Sequence, residues 1–239
     1  MDNIENNQQL TQPIVAEAVG DVTGDGYEDY VFLTGGTTKD SPFIQDITLH
    51  IMDGRTGLQS SIPLQTNVGY QPTLFLGDFT NDGVKDILIS IASGGSGGIM
   101  YYYIYSYLYL QPKLIFDYNV FNQYFKYQVT YQDNYKVLVQ DLTVPNKFMI
   151  DISLKDPDYL GEIYNPDGTL KQGIEGFVNP IGGLYPIDFD GNGVYELFIF
   201  QKVAGRYNAD SLGYIQTIIN WKNDQFNYQD QYLAIFGKS

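Results

Sequence analysis

Three nine-residue stretches share one spacing: DVTGDGYED at 21 to 29, DFTNDGVKD at 78 to 86 and DFDGNGVYE at 188 to 196. Each has Asp at its first position, Thr or Asp at the third, Asp or Asn at the fifth, Gly at the sixth and an acid at the ninth. Carboxylates this close repel one another unless something positive lies between them. Oxygen ligands at alternate positions, a glycine for the sharp turn and a backbone carbonyl at the seventh are what a hard cation such as calcium takes. An EF-hand would close with Glu at position twelve, where Phe32, Ile89 and Ile199 stand instead. The last acid comes three residues earlier, and an apolar run follows it directly (YVFL, ILIS or LFIF). The bland reading is an Asp/Gly-rich turn without metal; three copies in one register weigh against it.

The elements that must position these loops follow from their period. Asp78 lies 57 residues after Asp21, and Asp188 lies 110 after Asp78, close to two further periods. A degenerate copy is therefore due near residue 133, where YQDNYKVLVQ keeps an Asp, a turn-forming Asn and an apolar run. A second landmark follows each loop, a turn signal in MDGRTG, LQPK, NPDGT and WKND. Abundant Tyr, Phe, Ile and Val in short runs bounded by Gly, Asn and Asp, without helical apolar spacing, predict an all-β fold. Within one unit the runs at 29 to 34, 46 to 52, 58 to 64 and 72 to 77 predict four strands, the pattern of a propeller blade. The expected architecture is thus a β-propeller of four-stranded antiparallel blades, four in number; an open stack of blades, or another β architecture built on the same repeats, is the alternative. Its repeats span about 21–77, 78–132, 133–187 and 188–236, and the N-terminal strand PIVAEAV at 13–19 completes the last blade and closes the ring. Residues 1–12 are polar and read as a flexible tether to a single domain at 13–239.

The stretches GDVTGDGYEDYVFL, GDFTNDGVKDILIS and IDFDGNGVYELFIF resemble the FG-GAP or VCBS repeats of integrin α-subunit-type β-propellers, whose calcium loops read D-x-D-x-D-G-x-x-D. The literal Phe-Gly and Gly-Ala-Pro signatures are missing, and the unit length allows fewer blades than the usual seven. The resemblance implies calcium at about three sites. Side-chain ligands would be Asp21, Thr23, Asp25 and Asp29 in the first loop, and Asp78, Thr80, Asp82 and Asp86 in the second. Asp188, Asp190, Asn192 and Glu196 would serve in the third, with position-seven carbonyls from Tyr27, Val84 and Val194. The metal would staple one blade to the next. An extracellular or cell-surface location follows from the resemblance and from calcium being abundant outside cells, and places any signal peptide outside this sequence.

Other chemistry has less support. The one histidine, His50, alternates with apolar residues in DITLHIM and reads as structural. SGGSGG at 93 to 98 lacks the Gly-Lys-Ser/Thr ending of a phosphate loop and reads as a flexible connection. There is no cysteine, hence neither disulfide nor thiolate site. A net charge of −15 argues against nucleic acid and anionic membranes. No apolar run approaches the ~20 residues of a membrane span. In MYYYIYSYLYL, strand alternation puts Tyr101, Tyr103, Tyr105, Tyr107 and Tyr109 on one face. They either form a recognition platform or, as the pattern favours, fill the space between neighbouring blades. Together these features predict a binding or adhesion module for an unidentified protein or glycan, without catalysis of its own. A carbohydrate-active enzyme on the same scaffold, or a structural protein of a cell envelope or spore layer, are the alternatives.

Overall fold

A computed structural model describes residues 12–38 and 40–237. Apart from Gln12, the tether expected at 1–12 lies outside the described residues. The fold is all-β, with fifteen strands and two short helices among the described residues. The first sheet holds β1 (Ile14–Gly20), β2 (Asp29–Thr38), β3 (Ser41–Met52) and β4 (Gln59–Pro63) in sequence order. The second holds β5 (Tyr70–Gly77), β6 (Asp86–Ala92), β7 (Met100–Ser106) and β8 (Lys113–Asp117) in the same way. The third gathers β9 (Tyr127–Gln132), β10 (Lys136–Asp141), β11 (Lys147–Asp151), β12 (Glu175–Ile187), β13 (Glu196–Ala204), β14 (Ser211–Lys222) and β15 (Gln225–Ala234). Its seven strands run in the order β11-β10-β9-β12-β13-β14-β15, all pairs antiparallel.

Four separate four-stranded blades are therefore not what the chain forms, for two reasons. Residues after β11 do not make a fourth strand: Asp156 caps an α-helix, α2 (Pro157–Ile163), by accepting from the Asp158 amide at 2.8 Å, and Pro157 fits its first position. β12 then hydrogen-bonds directly to β9, at Glu175↔Thr130 and Gly176↔Val129, and fuses the last two groups of strands. Nor does the N-terminal strand complete the last sheet. β1 pairs with β2 across the first acidic loop, Gly20 opposite Asp29, just as Gly77 faces Asp86 and Ile187 faces Glu196. Each acidic loop thus closes a hairpin within one sheet and does not join two blades.

The sheets bury their faces against one another. β1 packs on β5, β7 on β12, and α1 (Tyr118–Tyr124) on β7, β8 and β12. One core runs through the first two sheets and into β12–β14, including Leu33, Ile51, Phe79, Ile89 and Leu197. A second lies between the third sheet and α2, around Val137, Val139, Ile163 and Ile215.

β7 explains the tyrosine stripe. Both of its faces are covered, so alternation separates two packed sides and not an inside from an outside. On one side the Tyr103 hydroxyl accepts from the Thr66 amide at 2.8 Å and Tyr107 donates to Ser60. On the other, Tyr102 accepts from the Leu184 amide at 3.1 Å. Tyr103, Tyr105 and Tyr107 are buried, Tyr101 is half-buried against the same core, and only Tyr109, in the turn after β7, is exposed, at 75%. The five do not form an exposed platform.

His50 on β3 is buried, stacks on Phe32 at 4.9 Å, and hydrogen-bonds Thr34 and Ser61 at 2.9 and 2.8 Å. Burial lowers its pKa. The unfolded chain takes up the proton near the ordinary value of about 6.5 and the folded one resists it, so this group stabilises the fold above that pH and the contribution fades as pH falls below it. Thermal melts from neutrality down to about pH 5 should show the wild type losing ground to His50→Gln. A constant difference between the two proteins would refute the assignment.

Candidate functional site

The three acidic loops are held by one repeated set of hydrogen bonds. The first-position carboxylate accepts from the amides of positions four and six: Asp21 from Gly24 and Gly26 at 2.7 and 2.9 Å, Asp78 from Asn81 and Gly83 at 2.7 and 2.8 Å, and Asp188 from Gly191 and Gly193 at 2.7 and 2.8 Å. The fifth-position oxygen accepts from the amide of position seven in all three, at 2.9, 2.9 and 2.7 Å for Asp25, Asp82 and Asn192. The ninth-position acid reaches back to the amide of position two: Asp29 to Val22, Asp86 to Phe79 and Glu196 to Phe189, at 2.9, 3.0 and 3.2 Å. These bonds require left-handed backbone at positions four and six. Gly24, Gly26, Gly83, Gly191 and Gly193 supply it without strain, and Asn81 does so at φ 60°.

The loops also stand in a row. The Lys85 amide donates to the Asp21 carbonyl at 3.3 Å, and the Tyr195 amide donates to the Asp78 carbonyl at 2.8 Å. Position eight of one loop thus grips position one of the loop before it. Tyr195 seats its ring on Phe75 and Phe79, over Gly77, where a Cβ would come within 2.9 Å of the ring.

Charge is balanced differently along the row. In the first loop the Arg55 Nε lies 2.9 Å from Asp25 Oδ2, and Asp29 takes a further amide bond from Gly54 at 2.9 Å. Gly54 allows that approach, because a Cβ there would meet the Glu28 carbonyl at 1.9 Å. Among the described residues no cation pairs with the carboxylates of the second loop. Among the described residues the exposed Asp82 has no hydrogen-bond partner on Oδ2, and burial pushes the Asp86 carboxyl up to about 6, with the Phe79 amide opposing and the Asp82 charge adding to the rise. In the third, more exposed loop the Gly193 amide leads in holding Asp188 below the usual carboxylate range, burial opposes it, and the Asn192 and Gly191 amides add to the lowering.

For calcium the fit is partial. The donors are all oxygen, and the carbonyls of Tyr27, Val84 and Val194 accept no backbone hydrogen bond among the described residues. Thr23 and Thr80 lie at position three, but their hydroxyls donate to Asp21 at 3.4 Å and to Asp86 at 3.2 Å; Asp190 accepts from the Asn192 side chain at 3.1 Å. Among the described residues no three Asp, Glu, His or Cys side chains converge closely enough to hold a metal ion.

Two polar clusters escaped the sequence, because their members are far apart along it. Asp210, buried after β13, accepts from Tyr159 at 2.7 Å, Tyr131 at 3.3 Å, the Arg206 amide at 3.1 Å and Lys155 at 3.2 Å. Burial raises its pKa and the Tyr159, Arg206 and Lys155 contacts more than offset that, holding it below the ordinary range. The cluster anchors α2 to the third sheet. The second cluster joins Asp141, Thr217 and Tyr127 through Gln231 Nε2, at 2.9, 3.3 and 3.1 Å.

Residues 125–234 match the YybI C-terminal domain, a span that opens just before β9 and ends with β15. Over 239 residues the chain is 48% identical to the uncharacterized protein YybI of Bacillus subtilis (strain 168), covering 98% of this chain and 91% of that protein. The chain belongs to the YybI family. That membership overturns the resemblance to FG-GAP or VCBS repeats, for which no family match is found. The YybI domain match takes in the third acidic loop and leaves out the first two. No solved structure matches. No helix among the described residues is long and apolar enough to cross a membrane.

The back-bonding of Asp29 yields a direct test. Asp29→Ala leaves the Val22, Thr23 and Gly54 amides without their acceptor in a buried site, and should lower the unfolding free energy by about 3 kcal/mol or more. Asp190→Ala, on an exposed residue, should change it by less than about 0.5 kcal/mol. Denaturant titration of both variants measures the contrast; equal losses would mean that the amide bonds do not organise the loop.

Proposed function

We propose that this chain is a non-catalytic binding module of the bacterial cell surface, whose row of acidic loops takes up calcium, foremost in the second loop. The observation that carries the proposal is the contrast along the row. The first loop has Arg55 against Asp25, whereas the second pairs the unpartnered Asp82 oxygen with a buried Asp86 that burial disfavours as an anion. A cation bound by Asp78, Thr80, Asp82, Asp86 and the Val84 carbonyl would neutralise that loop. Its neighbours in the row, through Lys85 to Asp21 and Asp78 to Tyr195, would be steadied with it. Adhesion to a protein or glycan is the activity that such a stabilised scaffold serves.

Binding that favours the folded state raises its stability by mass action. Calcium should therefore raise the melting temperature above that in excess chelator. Asp82→Ala should remove most of the shift, and Asp25→Ala should leave most of it. Superimposable wild-type melts with calcium and with chelator would end the calcium proposal.

A structural role in a cell envelope or spore layer is the second reading, and the exposed aromatic side chains favour it. Tyr27, Tyr124, Tyr185, Tyr207 and Tyr232 are all about half exposed, offering rigid contact area for assembly. On this reading the chain sediments as concentration-dependent oligomers; a monomer at every concentration would count against it.

A further inference from the structure

β9 and β12 pair only at two positions and then part, although both strands continue. No further pairing with β9 forms beyond Gly176, while along its other edge β12 shifts register against β13 between Val178 and Ile181 and again before Gly183, and Pro180 has no amide to donate. The parted strands leave a cavity of about 340 Å³ lined by Lys126 to Val129 on one side and Glu175 to Pro180 on the other, with Asn122, Phe125 and Gln201 completing it.

The lining residues are held in place by hydrogen bonds to one another and to neighbouring elements. Asn122 on α1 accepts from the Ile181 amide at 3.1 Å. The Lys126 amide donates to Thr143 at 3.0 Å, and the Lys126 carbonyl accepts from Leu142 at 2.7 Å. Beneath it the Tyr127 hydroxyl donates to Gln201 Oε1 and accepts from Gln231, both at 3.1 Å, while Gln201 Nε2 donates to the Asn179 carbonyl at 3.2 Å. Burial drives the Tyr127 pKa up, so the phenol stays neutral.

We propose that this cavity is a binding site for a neutral saccharide. Gln201 has used one N–H and one lone pair and retains one of each; Asn179, 4% exposed, donates from Nδ2 to the Gly97 carbonyl at 3.3 Å and, among the described residues, has no partner on Oδ1. Side-chain amides therefore offer mixed donors and acceptors, which vicinal hydroxyls match. Phe125 and the half-exposed Phe177 supply apolar walls for the C–H face of a sugar ring. Lys126 and Glu175 on the rim cancel in charge, so nothing selects an ion. A peptide strand fits less well, since Pro180 lacks the amide that a regular edge offers for strand addition. The inference builds on the chain being a binding module and does not depend on calcium.

The probes are the methyl glycosides of glucose, galactose and N-acetylglucosamine, with N-acetylalanine methylamide as the peptide arm, each titrated in calcium and in chelator. Side-chain amide NMR signals of Gln201 and Asn179 should shift saturably with at least one glycoside. Phe177→Ala, on an exposed rim residue, should weaken that binding roughly fivefold. Binding that persists in chelator leaves the inference standing even where the calcium melts coincide. It is overturned when no glycoside moves these signals at millimolar concentration, when only the peptide mimic does, or when Phe177→Ala binds as tightly as the wild type.

Discussion

A carboxylate that accepts amide hydrogen bonds from its own loop turns a repulsive cluster into a corner, and the hairpins of this fold rest on that interaction. Three acidic loops use the same amides at the same positions, and the same device recurs in smaller form. Asp53 accepts from the Arg55 and Thr56 amides, Asp141 from Thr143 and Val144, and Asp167 from Thr169. The high acid content thus has a structural use. Backbone dipoles do locally what basic side chains, fewer than half as numerous as the acids, do elsewhere.

Corners fixed in this way determine how the strands associate. Because position zero pairs with position nine, each loop must join neighbours in one sheet, and the chain from β1 to β8 folds as two complete sheets. The amide-to-carbonyl links from Lys85 and Tyr195 then bring corners of all three sheets side by side. Packing follows: with the corners in a row, β7 is enclosed between the β4–β5 connection and β12, and its tyrosines become core.

The acidic loops and the strands after them were readable in the sequence because the repeated bonds inside each loop span at most seven residues. The sheet pairings were harder. Hairpin phase hung on whether position nine closes a turn or opens a new unit, and residue types alone suit both. The β9–β12 junction depends on Gly176, where a Cβ would lie 2.5 Å from the Ala204 carbonyl, a contact between segments 28 residues apart. The stripe from Tyr101 to Tyr109 shows the limit of periodicity: alternation assigns side chains to two faces, but what covers each face is decided by distant strands. Helix α2, which starts at Asp156-Pro157, was not anticipated, because a seven-residue helix leaves too short an apolar pattern to stand out.

The same contrast between local and distant bonding separates the parts of the molecule suited to stability from those suited to recognition. Loop carboxylates that accept from their own amides have few valences left for a partner; the open ones are single oxygens such as Asp82 Oδ2 in the second loop. Around Tyr127, Gln201 and Asn179 the bonds come from four strands, and each side chain is held by one or two contacts while other valences stay open. A polar group so placed must be left poorly satisfied, solvated or met by a ligand. Orientation fixed from below and capacity left above are what a selective pocket needs, and the interrupted pairing of β9 and β12 supplies the opening.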